Sequence, residues 1–154
     1  MGDRIRTALF NVLGDITGYR LLDPFAGSGA IAFEAASRGA SQVIAIERDR
    51  KAQIIIEKNI ASLDLGKKVK LIKANCRQWS QQHPEEIFDL IICDPPYQEL
   101  QLSTVSLLTR HLKNNGLMVL SYPGRESAPT VNGVVVVDNF SYGDAALAYY
   151  RKAA

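Results

Sequence analysis

The segment Asp94-Pro95-Pro96-Tyr97 follows an apolar run, Phe88-Asp89-Leu90-Ile91-Ile92-Cys93, so an acid, two prolines and an aromatic ring stand at what reads as a strand end. Such a group can clamp a flat base that carries an exocyclic amine. The Asp94 carboxylate and the Pro95 carbonyl, stiffened by the proline ring, can accept the two N–H protons, while Tyr97 stacks on the base. An amine conjugated to a purine is a poor nucleophile because its lone pair is delocalised into the ring. Two acceptors favour a more pyramidal nitrogen whose lone pair faces an incoming methyl group, and alignment of this kind lowers the barrier. A base inside a helix is out of reach, so the target must be flipped out or already unpaired. Without its position in a sheet, the same tetrapeptide is also an ordinary rigid turn.

Upstream lies a glycine loop, Asp23-Pro24-Phe25-Ala26-Gly27-Ser28-Gly29. Gly27 and Gly29 allow a tight turn and close approach to a ligand, and helix-terminal N–H groups there favour a carboxylate or phosphate. The third glycine of the dinucleotide fingerprint is replaced by Ala32, which suits NAD or S-adenosylmethionine equally. Glu47 ends the next apolar run, where its carboxylate can accept hydrogen bonds from both hydroxyls of a ribose. Asp23 tilts the choice, because its charge would repel a pyrophosphate but attract the ammonium of a methionine moiety. After the third run, Asn75 can offer an amide to an adenine edge and the Cys76 backbone N–H can complete the pair, although Asn also serves plain turn chemistry. The candidate cofactor set is therefore Asp23, Phe25, Gly27, Gly29, Glu47, Arg48, Asn75 and Cys76, with S-adenosylmethionine as cofactor. The candidate catalytic set is Asp94, Pro95 and Tyr97.

The elements that must position these residues follow from hydrophobic periodicity. Residues 3–13 put Ile5, Leu9, Phe10 and Leu13 on one helical stripe, with Asp3 as a potential cap. Strands are predicted at 19–23, 43–46, 69–73, 88–93 and 117–122, alternating with helices at 28–38, 49–65, 77–82 and 100–113. The tail predicts two strands, 134–140 and 146–151, around a turn at 142–144. Alternation of this kind predicts an α/β fold: a Rossmann-like, mostly parallel sheet with helices on both faces and an antiparallel C-terminal edge hairpin. The first and fourth strands should be neighbours, with the ligand beyond their carboxyl ends. No linker or repeat divides residues 1–154, so one domain is expected.

Bulk composition excludes little. With 47% hydrophobic and 22% charged residues and a formal charge of +2, the chain lacks the large cationic surface of a free nucleic-acid binder. Cys76 and Cys93 have neither metal-ligand nor disulfide spacing, so reduced thiols and no metal are expected. The start, Met-Gly-Asp-Arg-Ile-Arg, lacks the apolar core of a secretory leader, and no run reaches membrane-spanning length. A cytoplasmic monomer is the expectation. His83 and His111 read as structural, Trp79 as core, and Lys67-Lys68-Val69-Lys70 as a solvated charge run. Tyr122 is open between pocket lining and core.

At this point the sequence resembles a known family. The clamp 94–97, the loop 23–29 and the N-terminal Asp3-Arg4-Ile5-Arg6 followed by Leu9-Phe10-Asn11 are similar to those of bacterial methyltransferases that modify N2 of one guanine in small-subunit ribosomal RNA. The N-terminal stretch is the most family-specific part, since the other two motifs recur among amino-methyltransferases. The resemblance implies a seven-stranded methyltransferase sheet, S-adenosylmethionine as donor, and ribosomal RNA presented within an assembling small subunit. It also implies a first helix lying over the site, with Arg4, Arg6, Asn11, Pro96 and Tyr97 as substrate-binding residues. The family's short β-hairpin before this helix has no counterpart here: either Met1 is internal to a longer chain or this member lacks it.

Three rival readings use the same residues. A methyltransferase acting on the N6 amine of adenine in DNA or RNA would need the same clamp. A NAD-dependent oxidoreductase explains Gly27, Gly29 and Glu47 but leaves the clamp idle. A catalytically silent RNA-binding assembly factor would retain the scaffold alone.

Overall fold

The computed structural model describes residues 1–154. Its centre is a sheet built from β1 (Arg20–Asp23), β2 (Gln42–Glu47), β3 (Val69–Lys73), β4 (Phe88–Cys93), β5 (Leu112–Pro123), β6 (Val135–Ser141) and β7 (Ala145–Arg151), in the order β3-β2-β1-β4-β5-β7-β6. The first five strands are parallel, and β7 runs antiparallel between β5 and β6. The expected mixed sheet with its C-terminal hairpin is therefore present. The helices are α1 (Asp3–Leu13), α2 (Ala30–Ser37), α3 (Arg50–Ser62), α4 (Cys76–Gln82) and α5 (Leu102–Leu108).

Parallel strands buried on both faces need apolar side chains on both, and successive residues point to opposite sides. Leu21, Leu90 and Ile92 accordingly face one layer with Leu9, Phe10, Ala32, Ala35 and Ile56 from α1, α2 and α3. Leu22, Ile91 and Cys93 face the other with Trp79, Val105 and Leu108 from α4 and α5. The chain goes outward through β2 and β3, then crosses to β4 on the other side of β1. Leu21 and Leu22 pair with Leu90 and Ile91 across that switch point, where ligands bind in open sheets of this kind.

Two local expectations are corrected. Asp3 does not cap α1: Gly2 is the cap residue, and Asp3 accepts from Arg6 Nη2 at 2.9 Å. The helix predicted over 100–113 stops at Leu108, runs through a single 3-10 turn, Thr109–His111, and becomes β5 at Leu112. Long-range partners decide this boundary. Leu112 pairs with Phe88 before a register break. His111 is fully buried, with Nδ1 on the Glu86 carbonyl at 2.7 Å and Nε2 on the Ser80 hydroxyl at 2.7 Å.

A carbonyl only accepts, so His111 Nδ1 carries the proton and Nε2 accepts from Ser80. Burial pushes the His111 pKa below its ordinary 6.5, outweighing the Glu86 carbonyl. A base whose folded pKa is lowered stabilises the fold fully above the ordinary value and loses that contribution as pH falls through it. Between pH 7.5 and pH 5.5 the wild type should therefore lose urea midpoint relative to His111→Gln, whatever the other titrating groups do to both. A variant as acid-sensitive as the wild type would dismiss His111 as a cause.

Candidate active site

At the carboxyl ends of β1 to β4 lies a cavity of about 620 Å³, lined among others by Gly27, Glu47, Asn75, Cys76, Asp94 and Tyr97. Residues far apart in the chain meet there because parallel strands all end on the same edge of the sheet.

The glycine loop turns sharply out of β1. Ala26 donates to the Ile46 carbonyl at 3.0 Å, and the Gly27 N–H donates to Glu47 Oε1 at 2.7 Å. Glu47 Oε2 accepts from Asp49 N at 2.8 Å, so this carboxylate holds the loop and the start of α3 together. Each oxygen retains a second lone pair for a hydroxyl of a bound ribose. The two glycines differ in role. Gly27, at φ +57°, has nothing within 4 Å of where a Cβ would sit and opens onto the cavity. Gly29, at φ +87°, would place a Cβ 2.8 Å from the Phe33 ring. It serves the left-handed start of α2 and its packing, and does not line the cavity.

Asp23 is fully buried, and neither carboxylate oxygen has a hydrogen-bond partner. Burial first, then the charges of Asp94 and Glu47, push its pKa up to about 8. The acid is thus mostly protonated at neutral pH, whereas a fixed negative charge was expected. An orphaned buried carboxyl is rare and calls for a missing partner. Glu47 and Asp94 line the cavity, and Asp23 lies buried within reach of both charges; acids so arranged suit a ligand with an ammonium and vicinal hydroxyls and oppose a pyrophosphate.

Asn75 caps α4, its Oδ1 accepting from Arg77 N at 2.9 Å and Gln78 N at 3.3 Å. Turn chemistry therefore uses its oxygen, and the amide NH₂ has no partner and remains available to the cavity. The Cys76 thiol is pushed up to about 11, chiefly by burial, so it is an inert wall rather than a nucleophile. Phe25 and Arg48 also line the cavity.

The clamp leaves β4 after Cys93. Asp94 lines the cavity, and its Oδ2 lies 3.1 Å from the Met1 nitrogen. Pro95 is buried and Pro96 exposed. The Tyr97 hydroxyl meets Ser121 Oγ at 2.5 Å. Burial raises the Tyr97 pKa, the Ser121 bond lowers it and Asp94 raises it further.

The first helix reaches the cavity through Ile5, and the residues before it through Met1 and Gly2, rather than through Arg4, Arg6 or Asn11. Arg6 is committed to Asp3 and to Glu34, its Nε lying 3.1 Å from Glu34 Oε1. Glu34 in turn holds Arg38 at 2.8 Å, so Arg6 fastens α1 to α2. Asn11 is exposed and away from the cavity, while Arg4 is exposed without an ion pair. The sequence reading missed Gln98, Gln101 and Ala145, and it places Ser121 near the rim without a role. Gln101 is detectable only from its left-handed φ of +53°. Ser121 did carry a signal, as a lone hydroxyl in an apolar strand. Tyr122 is buried in the core with its hydroxyl near Asn139. Trp79 is core and stacks on His83 with ring centroids 5.3 Å apart.

This sheet order, with a glycine loop after β1, an acid after β2 and an acid-proline-proline-tyrosine turn after β4, defines the Rossmann-like class of S-adenosylmethionine-dependent methyltransferases. Within it, the chain belongs to the family described as conserved hypothetical protein 95, whose model matches residues 1–151. It is 31% identical to the YlbH protein of Bacillus subtilis over 97% of this chain and 85% of that one. It is 35% identical to ribosomal RNA small subunit methyltransferase D of Buchnera aphidicola, over 88% of this chain and 68% of the relative. The solved structure of Escherichia coli YhhF superimposes with a TM-score of 0.86 at 29% identity, covering 99% of this chain and 88% of the other.

Proposed function

We propose that this protein methylates the exocyclic N2 amine of a guanine in small-subunit ribosomal RNA, with S-adenosylmethionine as donor. One observation carries the reading: the pairing of β1 with β4 brings the buried, orphaned Asp23 beside the strand end from which Asp94 lines the cavity. When bound, the cofactor supplies a methyl group made electrophilic by its sulfonium. The residues of the chain do the rest by holding and aligning. Asp23 is the acid for a cofactor ammonium, Glu47 accepts from ribose hydroxyls, and Asn75 with the Cys76 N–H meets an adenine edge. Phe25, Gly27 and Arg48 close around the same ligand. Asp94 and the Pro95 carbonyl take the two amine protons, and Tyr97 stacks on the base with Pro96 beside it.

The ribosomal substrate is supported by the likeness to a relative named as a small-subunit ribosomal RNA methyltransferase. We place the reaction on an assembling small subunit, carried out by a cytoplasmic monomer. Arg4, exposed at the start of α1, is the residue of the first helix left free to meet phosphate. The clamp handles guanine N2 and adenine N6 alike, and nucleoside analysis separates them. After incubation with S-adenosylmethionine and either free 16S ribosomal RNA, assembly intermediates or whole subunits, digestion and mass spectrometry should show N2-methylguanosine, most of it from the particles. N6-methyladenosine instead would move the target to adenine. No methylated nucleoside from any of the three would reject the reading.

A further inference from the structure

We propose that Ser121 is a positioning residue for this reaction, its buried hydroxyl holding the Tyr97 phenol and so fixing the ring on which the target base stacks. The inference rests on the proposed function and adds to it a residue outside the clamp. After Cys93 pairs with Leu120, the clamp has no further partner in the sheet. Between 95 and 101 the backbone makes only the local bond from Glu99 N to the Pro96 carbonyl and the helix-start bond at Gln101. The contact of Tyr97 with Ser121 is the one hydrogen bond that ties this segment to a strand.

The register explains the meeting. Ser121 stands one residue beyond the last pair of β4 with β5, and on the other side it pairs with Leu147. Met118, Leu120 and Tyr122 pack into the layer of α4 and α5, while Val119 and Leu147 belong to the layer of α1. Alternation turns Ser121 toward that second layer, where α1 reaches the cavity. It is 1% exposed, and a buried hydroxyl needs a partner. Tyr97 is the only one it has, and Ser121 the only one for the phenol. Two hydroxyls that satisfy each other fix the far end of a ring whose near end rides on an unpaired loop. A stacking platform held at both ends presents the amine at one depth and tilt relative to Asp94.

The test compares Ser121→Ala, Tyr97→Phe and the double variant. Ser121→Ala should slow single-turnover transfer at saturating RNA about tenfold, as expected for a misaligned reactant. Cofactor affinity and melting temperature should stay close to wild type. The double variant should be no slower than Tyr97→Phe alone, because both changes remove one bond, and Ser121→Thr should recover most of the rate. Independently of activity, amide exchange at 97–101 should quicken several-fold in Ser121→Ala while β4 remains protected. A wild-type rate in Ser121→Ala, losses that multiply in the double variant, or unchanged exchange would each overturn the proposal. Wild-type protein that methylates no ribosomal RNA would instead remove the functional reading and the catalytic half of this inference, leaving exchange to decide the anchor.

Discussion

Asp94→Ala should reduce single-turnover methyl transfer by about 10²–10³-fold, the scale at which a lost alignment or a lost polar group at the reacting atom is felt. Within the clamp the Pro95 carbonyl can take one amine proton, and the Tyr97 hydroxyl is engaged by Ser121, so the second proton depends on Asp94. Cofactor affinity should hold or improve. The Asp94 charge is the second cause, after burial, of the raised Asp23 pKa, so removing it makes Asp23 easier to ionise. Calorimetric titration with S-adenosylmethionine alongside rapid-quench transfer separates the two effects. Asp94→Asn keeps one acceptor oxygen and should fall between the extremes. A wild-type rate in Asp94→Ala would assign the amine clamp to other residues.

Asp23→Asn has the second large effect, with opposite signs on binding and on stability. The wild-type acid is buried without a partner and its pKa is about 8. A carboxyl raised in the fold contributes stability that is fully present below its ordinary 3.8 and lost as pH rises through about 8. At neutral pH the ligand-free protein therefore carries the cost of keeping this acid neutral, on the order of 4 kcal/mol relative to an unshifted carboxyl. An amide of the same shape never ionises but leaves its own unmet hydrogen bonds, worth about 1–3 kcal/mol. The ligand-free variant should then melt several degrees higher than wild type. Its affinity for S-adenosylmethionine should fall about 10–100-fold, as expected when a charge-assisted bond is lost.

The pH dependence follows from the same group. To pair with an ammonium, Asp23 must release its proton, so wild-type affinity should rise from pH 6 toward about 8 and then level off. Proton release should be visible as a dependence of the binding heat on buffer ionisation. Asp23→Asn should show neither effect. A flat wild-type profile would mean that Asp23 stays neutral in the complex and that the ammonium is met elsewhere. Asp94 and Glu47 are the charges that act on this acid, and the Glu47 carboxylate already accepts two backbone N–H groups.

Much of the site could be read from the chain because its residues sit at strand ends. A short apolar run followed by Asp23 and glycines, by Glu47, or by Asp94-Pro95-Pro96-Tyr97 needs only local spacing to be recognised. Right-handed parallel connections then carry all those ends to one edge. The roles of Arg6 and Gly29 were not legible in the same way. Arg6 looks free in sequence, but Glu34 takes it through a contact between two helices. Gly29 looks like a ligand contact, but the Phe33 ring occupies the space a side chain would need.

Local pattern alone therefore determined the α/β alternation, the glycine loop and the acid-proline-proline-tyrosine turn after β4, since each depends on periodicity or on the shape of a short turn. Tertiary structure decided where α5 yields to β5, the protonation of Asp23, the neutrality of His111 and the pairing of Tyr97 with Ser121. The boundary depends on Phe88 and the buried His111, the two pKa shifts on burial, and the hydroxyl pair on the register of β5 against β4. Desolvation and long-range hydrogen bonding are properties of the surroundings that a residue acquires only when distant strands and helices close around it.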